Sequence, residues 1–160
     1  SRLDAMQAAV LNAKLPHLDA WSDARGANAM HYDEMFRSAG AVDTSRSMSD
    51  GALPLLVPAR PATPSRHIYN QYVLRVPAHV RDGLRAHLAD EKIGHDVYYP
   101  VPLHLQECFQ HLPACDLPHT ERAAQESIAI PIYSELTESQ RTRVADTIVR
   151  FVQAQTPVGA

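Results

Sequence analysis

Residues 121–140 read ERAAQESIAIPIYSELTESQ, and the local signals change character twice within them. Helix formers run from about residue 119 to residue 127. Residues 128–132 are a short apolar run. Thr137, with Gln140 three places on, then has the side chains of a capping box, in which each reaches the other's backbone amide. The helix starting there carries Val144, Ile148, Phe151 and Val152 as one apolar stripe, enough to close a domain.

Upstream of this stretch, Pro100 and Pro102 hold the chain extended before a short helix over 103–112. A strand is expected at 96–99. Before it, residues 78–91 form a helix with Val80, Leu84 and Leu88 on its apolar face and Gly94 just past its end. Strands are expected at 53–60 and 67–76, antiparallel to each other across a rigid PATPS turn at 61–65. The run 40–52 is small and polar without a period and reads as a flexible connection.

Earlier still, Leu18, Trp21, Tyr32, Met35 and Phe36 lie on one face of a long helix from Pro16 to about Gly40. Leu3, Met6 and Val10 place a first helix over 2–15, with no capping residue or leading strand before it, so the chain is expected to begin within a larger protein. The fold class is α+β: long helices lead into a small antiparallel sheet of about three strands, covered by helices on one side. The expected division is a helical segment over 1–40, the connection over 41–52, a small domain over 53–154 and a tail over 155–160.

The 160 residues, 45% of them hydrophobic, suffice for one domain with a real core. A formal charge of −3 with interspersed signs offers no footprint for nucleic acid and no basic stripe for a membrane surface. No apolar run approaches a membrane span and no signal segment opens the chain, so the expected location is cytoplasmic. Two cysteines, Cys108 and Cys115, make no disulfide framework. Among 15 basic residues only Lys14 and Lys92 are lysines, the sole candidates for an amine nucleophile.

Three stretches together resemble one family: SRLDAMQAAVLNAKLPHLDAW at 1–21, VYYPVPLHLQECF at 97–109, and the segment at 121–140. With HIYNQYVLRV and RDGLRAHLADEKIG between them in order, the chain is similar to the sugar aminotransferases of the DegT/DnrJ/StrS family along nearly its whole length. The resemblance implies the small carboxy-terminal domain of a fold-type I aminotransferase. Such enzymes use pyridoxal phosphate to place an amino group on nucleotide-linked keto-sugars, and the small domain closes over the substrate. It also implies that the Schiff-base lysine and the aspartate on the pyridine nitrogen belong to a segment with no counterpart here. This chain alone is then expected to hold no cofactor and no catalytic residue. Lys14, just before Pro16, and Lys92, after two acids at a helix end, read as solvated structural residues.

The resemblance carries over a few candidate residues. Ser1 and Arg2 match the end of a triplet that reaches the cofactor site of the neighbouring subunit, and a guanidinium fork suits phosphate or carboxylate. Arg2 could equally be a helix-end arginine in water. Tyr98 stands where many relatives have a histidine, followed by Tyr99; alternate strand residues face opposite ways, so one of the two is expected to face the sugar. Core packing is the other reading for each. His104 is a substrate candidate or a local hydrogen-bonding group. Glu121 and Glu126 recur in the family's pattern but read more simply as a solvated or ion-paired face. His104, Cys108, His111, Cys115 and His119 suggest a metal stripe, but Pro113 and Pro118 interrupt any continuous helix, and no metal site is expected.

A homo-oligomer is expected, because a chain lacking its companion segment exposes apolar helix faces. The competing functional class is a free-standing interaction or regulatory module that reuses the fold.

Overall fold

In the computed structural model, residues 3–60 and 65–155 are described. The first helix, α1, spans Ala5–Lys14, and Asp4 caps it by accepting hydrogen bonds from the Met6 and Gln7 amides at 3.0 and 3.1 Å. The expected uncapped start at residue 2 is thereby corrected: an aspartate inside the Leu3–Met6 spacing supplies the cap. No residue of α1 is buried. A 3-10 turn, Leu15–His17, with Pro16 at its second residue, leads into α2, Leu18–Ser38. Burial on α2 comes mainly from its second half, through Ala29, Tyr32, Asp33 and Phe36. Leu18 stays exposed, and Trp21 is half-buried with its ring stacked on His17.

Helix α2 stops where sequence chemistry requires it. Gly40 takes φ +100, its amide bonds the Arg37 carbonyl and the Ala41 amide bonds the Phe36 carbonyl, the paired closure of a Schellman motif. A Cβ at Gly40 would lie 2.8 Å from that of Ala52. The 40–52 run is therefore more structured than its composition suggests. It holds β1, Val42–Asp43, and a 3-10 turn, Met48–Asp50, capped reciprocally by Ser47 and Asp50. Asp43 anchors β1, accepting from the amide and hydroxyl of Ser45 and from Arg37. Those bonds, Ser45 foremost, hold its carboxyl below the usual range.

The sheet has four strands in the order β1-β2-β3-β4, where β2 is Leu56–Val57, β3 is Tyr72–Arg75 and β4 is Ser127–Ile130. β1 runs parallel to β2, while β2–β3 and β3–β4 are antiparallel. The sheet is thus mixed, and two expected strands shrink to short cores. The expected strand at 96–99 reduces to one bridge, Asp96 with Ala129. Its place in the ladder goes to the 127–130 run, buried at all four positions and paired residue for residue with β3.

Three further helices complete the fold: α3, Ala78–Asp90; α4, Pro118–Glu126; and α5, Glu138–Gln155. The helix expected at 103–112 is instead two 3-10 turns, Leu103–Leu105 and Glu107–Phe109, because Gln106 between them takes an extended backbone that breaks the helical run. The Thr137–Gln140 capping box forms as read, with Thr137 N–H on Gln140 Oε1 at 2.9 Å and Gln140 N–H on Thr137 Oγ1 at 3.4 Å. Helix α5 lies against both α2 and α3, and one core joins Tyr32 and Phe36 of α2, Leu74 of β3, Leu84 and Leu88 of α3, Ile128 of β4 and Ile148 of α5. Phe151 is only half-buried; its ring stacks on His87 and sits 3.3 Å from where a Cβ on Gly83 would be.

α3 ends differently from its expected glycine stop. Lys92, not Gly94, takes the left-handed conformation at φ +56, and the Lys92 and Ile93 amides bond the Ala89 and Leu88 carbonyls. The turn must close two residues before Gly94 so that Ile93 can return into the core. The expected PATPS turn lies largely outside the described residues. No helix among the described residues is long and apolar enough to cross a membrane.

Candidate functional site

The turn after α3 brings Asp96 against β4 through paired backbone bonds, Asp96 N–H to Ala129 O at 3.1 Å and Ala129 N–H to Asp96 O at 2.7 Å. That clamp fixes the direction of the next residues. Val97 turns inward and is buried, while Asp96 and Tyr98, two apart on extended chain, face outward together. They share a cleft of about 340 Å3 with Asn70 and Gln71 just before β3, His95 and Ile130. The Asp96 carboxylate beside the Tyr98 hydroxyl chiefly raises its pKa above the ordinary tyrosine value. His95 is turned back to the Ile93 carbonyl through Nδ1 at 3.1 Å.

This arrangement can bind a polyhydroxylated ring. It offers an aromatic face, a phenol beside a carboxylate, and two side-chain amides. Tyr98 is 43% exposed and Tyr99 74%, with their rings edge to face at 6.2 Å. Tyr98 lines the cleft, and neither tyrosine packs in the core. Asp96, Asn70 and Gln71 were not singled out by sequence; the alternation Asp96–Val97–Tyr98 was the signal available, since it puts a carboxylate beside the phenol.

His104 stands in another cleft, of about 460 Å3, with Leu103, Leu105, Phe109 and Leu117. Its Nε2 lies 3.1 Å from Glu121 Oε1, a link from the first of the two 3-10 turns to α4. That contact is local, and the same residue also lines the cleft. Glu126 pairs with Arg75 and, at 3.6 Å, with Arg122, so Glu126 stands in ion pairs and Glu121 in a hydrogen bond. Cys108 and Cys115 are free and exposed, and among the described residues no three histidine, cysteine or acidic side chains converge on a point. Ser1 and Arg2 lie outside the described residues.

Neither lysine meets the needs of a cofactor lysine, which requires a desolvated pocket where the amine can be neutral. Lys14 ends a helix with no buried residue, and Lys92 sits exposed in the α3 closing turn. The residues present do not fit covalent attachment of pyridoxal phosphate.

Residues 1–149 match the model of the DegT/DnrJ/EryC1/StrS aminotransferase family. The chain belongs to that family. It is 37% identical over 153 residues to a pleiotropic regulatory protein of Geobacillus stearothermophilus, covering 94% of this chain and 37% of the relative. It is 34% identical over 150 residues to the UDP-N-acetyl-3-dehydro-alpha-D-glucosamine 3-aminotransferase of Acidithiobacillus ferrooxidans, covering 94% of this chain and 36% of that enzyme. The solved structure of S. venezuelae DesV, in complex with a ketimine intermediate, superposes with a TM-score of 0.77 at 31% identity, over 95% of this chain and 37% of that one. This DegT/DnrJ/EryC1/StrS chain therefore spans a little over a third of the length of the curated relatives it matches.

Proposed function

We propose that these residues are the carboxy-terminal, substrate-closing part of an aminotransferase that acts on nucleotide-linked keto-sugars, with pyridoxal phosphate and its lysine supplied by a segment outside the 160 residues. The observation that carries this reading is the Asp96–Tyr98 cleft in a chain of this family whose two lysines are both exposed. The cofactor, when bound in the whole enzyme, supplies the electron sink for moving the amino group. The chain's own part is to bind and orient: the Tyr98 face covers the sugar ring, its hydroxyl bonds a sugar hydroxyl, and the neighbouring Asp96 charge keeps the phenol protonated. The exposed apolar stripe of α1 is the surface on which the rest of the enzyme packs.

Two measurements test the reading. The purified chain mixed with pyridoxal phosphate should develop no saturable yellow absorbance and no transamination; covalent, saturable attachment at Lys14 or Lys92 would overturn it. In the whole enzyme, Tyr98→Phe should raise KM for the keto-sugar by about threefold to tenfold, the loss of one hydrogen bond, with the cofactor absorbance unchanged. An unaltered KM would remove Tyr98 from the site.

A further inference from the structure

On the β1 side of the sheet, away from the Asp96–Tyr98 cleft, a second polar cavity of about 270 Å3 is lined by Arg46, Arg75 and Arg122, with Thr44 and the first residue of α3, Ala78. The lining holds three arginines and one carboxylate, Glu126, an excess of two positive charges in a chain whose formal charge is −3. From outside the lining, Asp50 approaches Arg46 at 3.5 Å, with both side chains largely in water, where such a pair contributes little.

The cationic groups are also held in place. Glu126 binds Arg75 through Oε2 and Arg122 through Oε1, the latter at 3.6 Å, and both Glu126 and Arg75 are largely buried. An incoming anion meets two guanidinium groups already ordered, which lowers the entropic cost of binding. Thr44 Oγ1 accepts from the Ala59 amide at 3.1 Å, which leaves its O–H to donate. Helix α3 adds to the field: its N-cap is Pro77, with no side-chain cap, and its first turn carries no acidic residue.

We propose that this cavity binds a phosphate group through Arg46, Arg75, Arg122 and Thr44. Guanidinium forks match phosphate oxygens in bidentate fashion, and a multiply charged tetrahedral anion can use donors arriving from several sides. The proposal does not depend on the sugar-aminotransferase reading, since neither Tyr98 nor Asp96 takes part.

The test is a titration of the nitrogen-labelled chain with inorganic phosphate, following the arginine Nε–Hε resonances, with sodium chloride at matched ionic strength as control. Saturable shifts at Arg46, Arg75 and Arg122 with phosphate and none with chloride are expected. Arg46→Gln and Arg122→Gln, at side chains 57% and 61% exposed, leave the core alone and should each weaken binding about fivefold. A parallel titration with UDP separates the sources. Competition with phosphate at about tenfold higher affinity supports the site and assigns it to a diphosphate-bearing ligand, and weaker or equal affinity supports it as a site for free phosphate. Shifts that chloride reproduces, or an affinity unchanged in both arginine variants, would overturn the proposal.

Discussion

Lys92 sits at φ +56 in the turn that closes α3, where a side chain with a Cβ is strained and glycine is not. Lys92→Gly should therefore stabilise the fold by about 0.5–1 kcal/mol, the relief of strain less the extra freedom glycine gives the unfolded chain. Urea unfolding at constant slope would show it. The buried tyrosines argue in the other direction at high pH. Burial raises the pKa of Tyr32 and Tyr72 above the ordinary value, and Tyr72 additionally donates to the buried Asp33 carboxylate at 2.6 Å. Their folded-state pKa values exceed the unfolded value of 10.0, so the folded chain binds these protons more tightly. That contribution is whole below pH 10.0 and disappears as pH rises above it. Alkaline titration should show two phenolates appearing only together with the loss of helical circular dichroism; early ionisation of all six tyrosines in a still-folded chain would contradict it. Asp33 also accepts from Arg60 Nε and Nη2, each at 3.2 Å. Asp33→Ala strands the Tyr72 hydroxyl in the core and should cost about 2–3 kcal/mol.

At the scale of elements, the α5 capping box is the cleanest local device. Thr137→Ala should destabilise by about 0.5–1 kcal/mol, at the lower end because the Gln140 amide lies 3.4 Å from Thr137 Oγ1; thermal unfolding would register it, and Thr137→Ser should restore most of it. Such a box was legible because both partners lie within four residues. The apolar stripes of α3 and α5 were legible for the same reason. Strands were harder. The 127–130 run is buried on both faces, so it shows no alternation, and β1 and β2 are two residues each, held by pairing with remote chain. The 40–52 run looked unstructured since its order comes from Asp43, Ser47 and Asp50 bonding local backbone, a use of polar residues that composition does not distinguish from a loop. In the candidate site Tyr98 could be read from its motif. Asp96 was legible only through its alternation with Tyr98; the bridge to Ala129 that sets its direction, a contact across more than thirty residues, was not.

For the whole molecule the decisive feature is α1. Its ten residues include none that is buried, and Met6 remains 79% exposed beside Leu3, Val10 and Leu11. A helix this short is marginal in water without packing, and each such side chain gains about 1.5–3 kcal/mol on full burial. If the rest of the enzyme covers this stripe in the parent protein, the chain by itself must cover it with another copy. Sedimentation should then show concentration-dependent association. Met6→Lys with Leu11→Lys should return the chain to monomer while leaving the unfolding of the core unchanged, because neither residue touches it. A chain that stays monomeric at every concentration with α1 fully helical would mean that the stripe needs no partner. It would then also lose its place as the docking surface proposed for it.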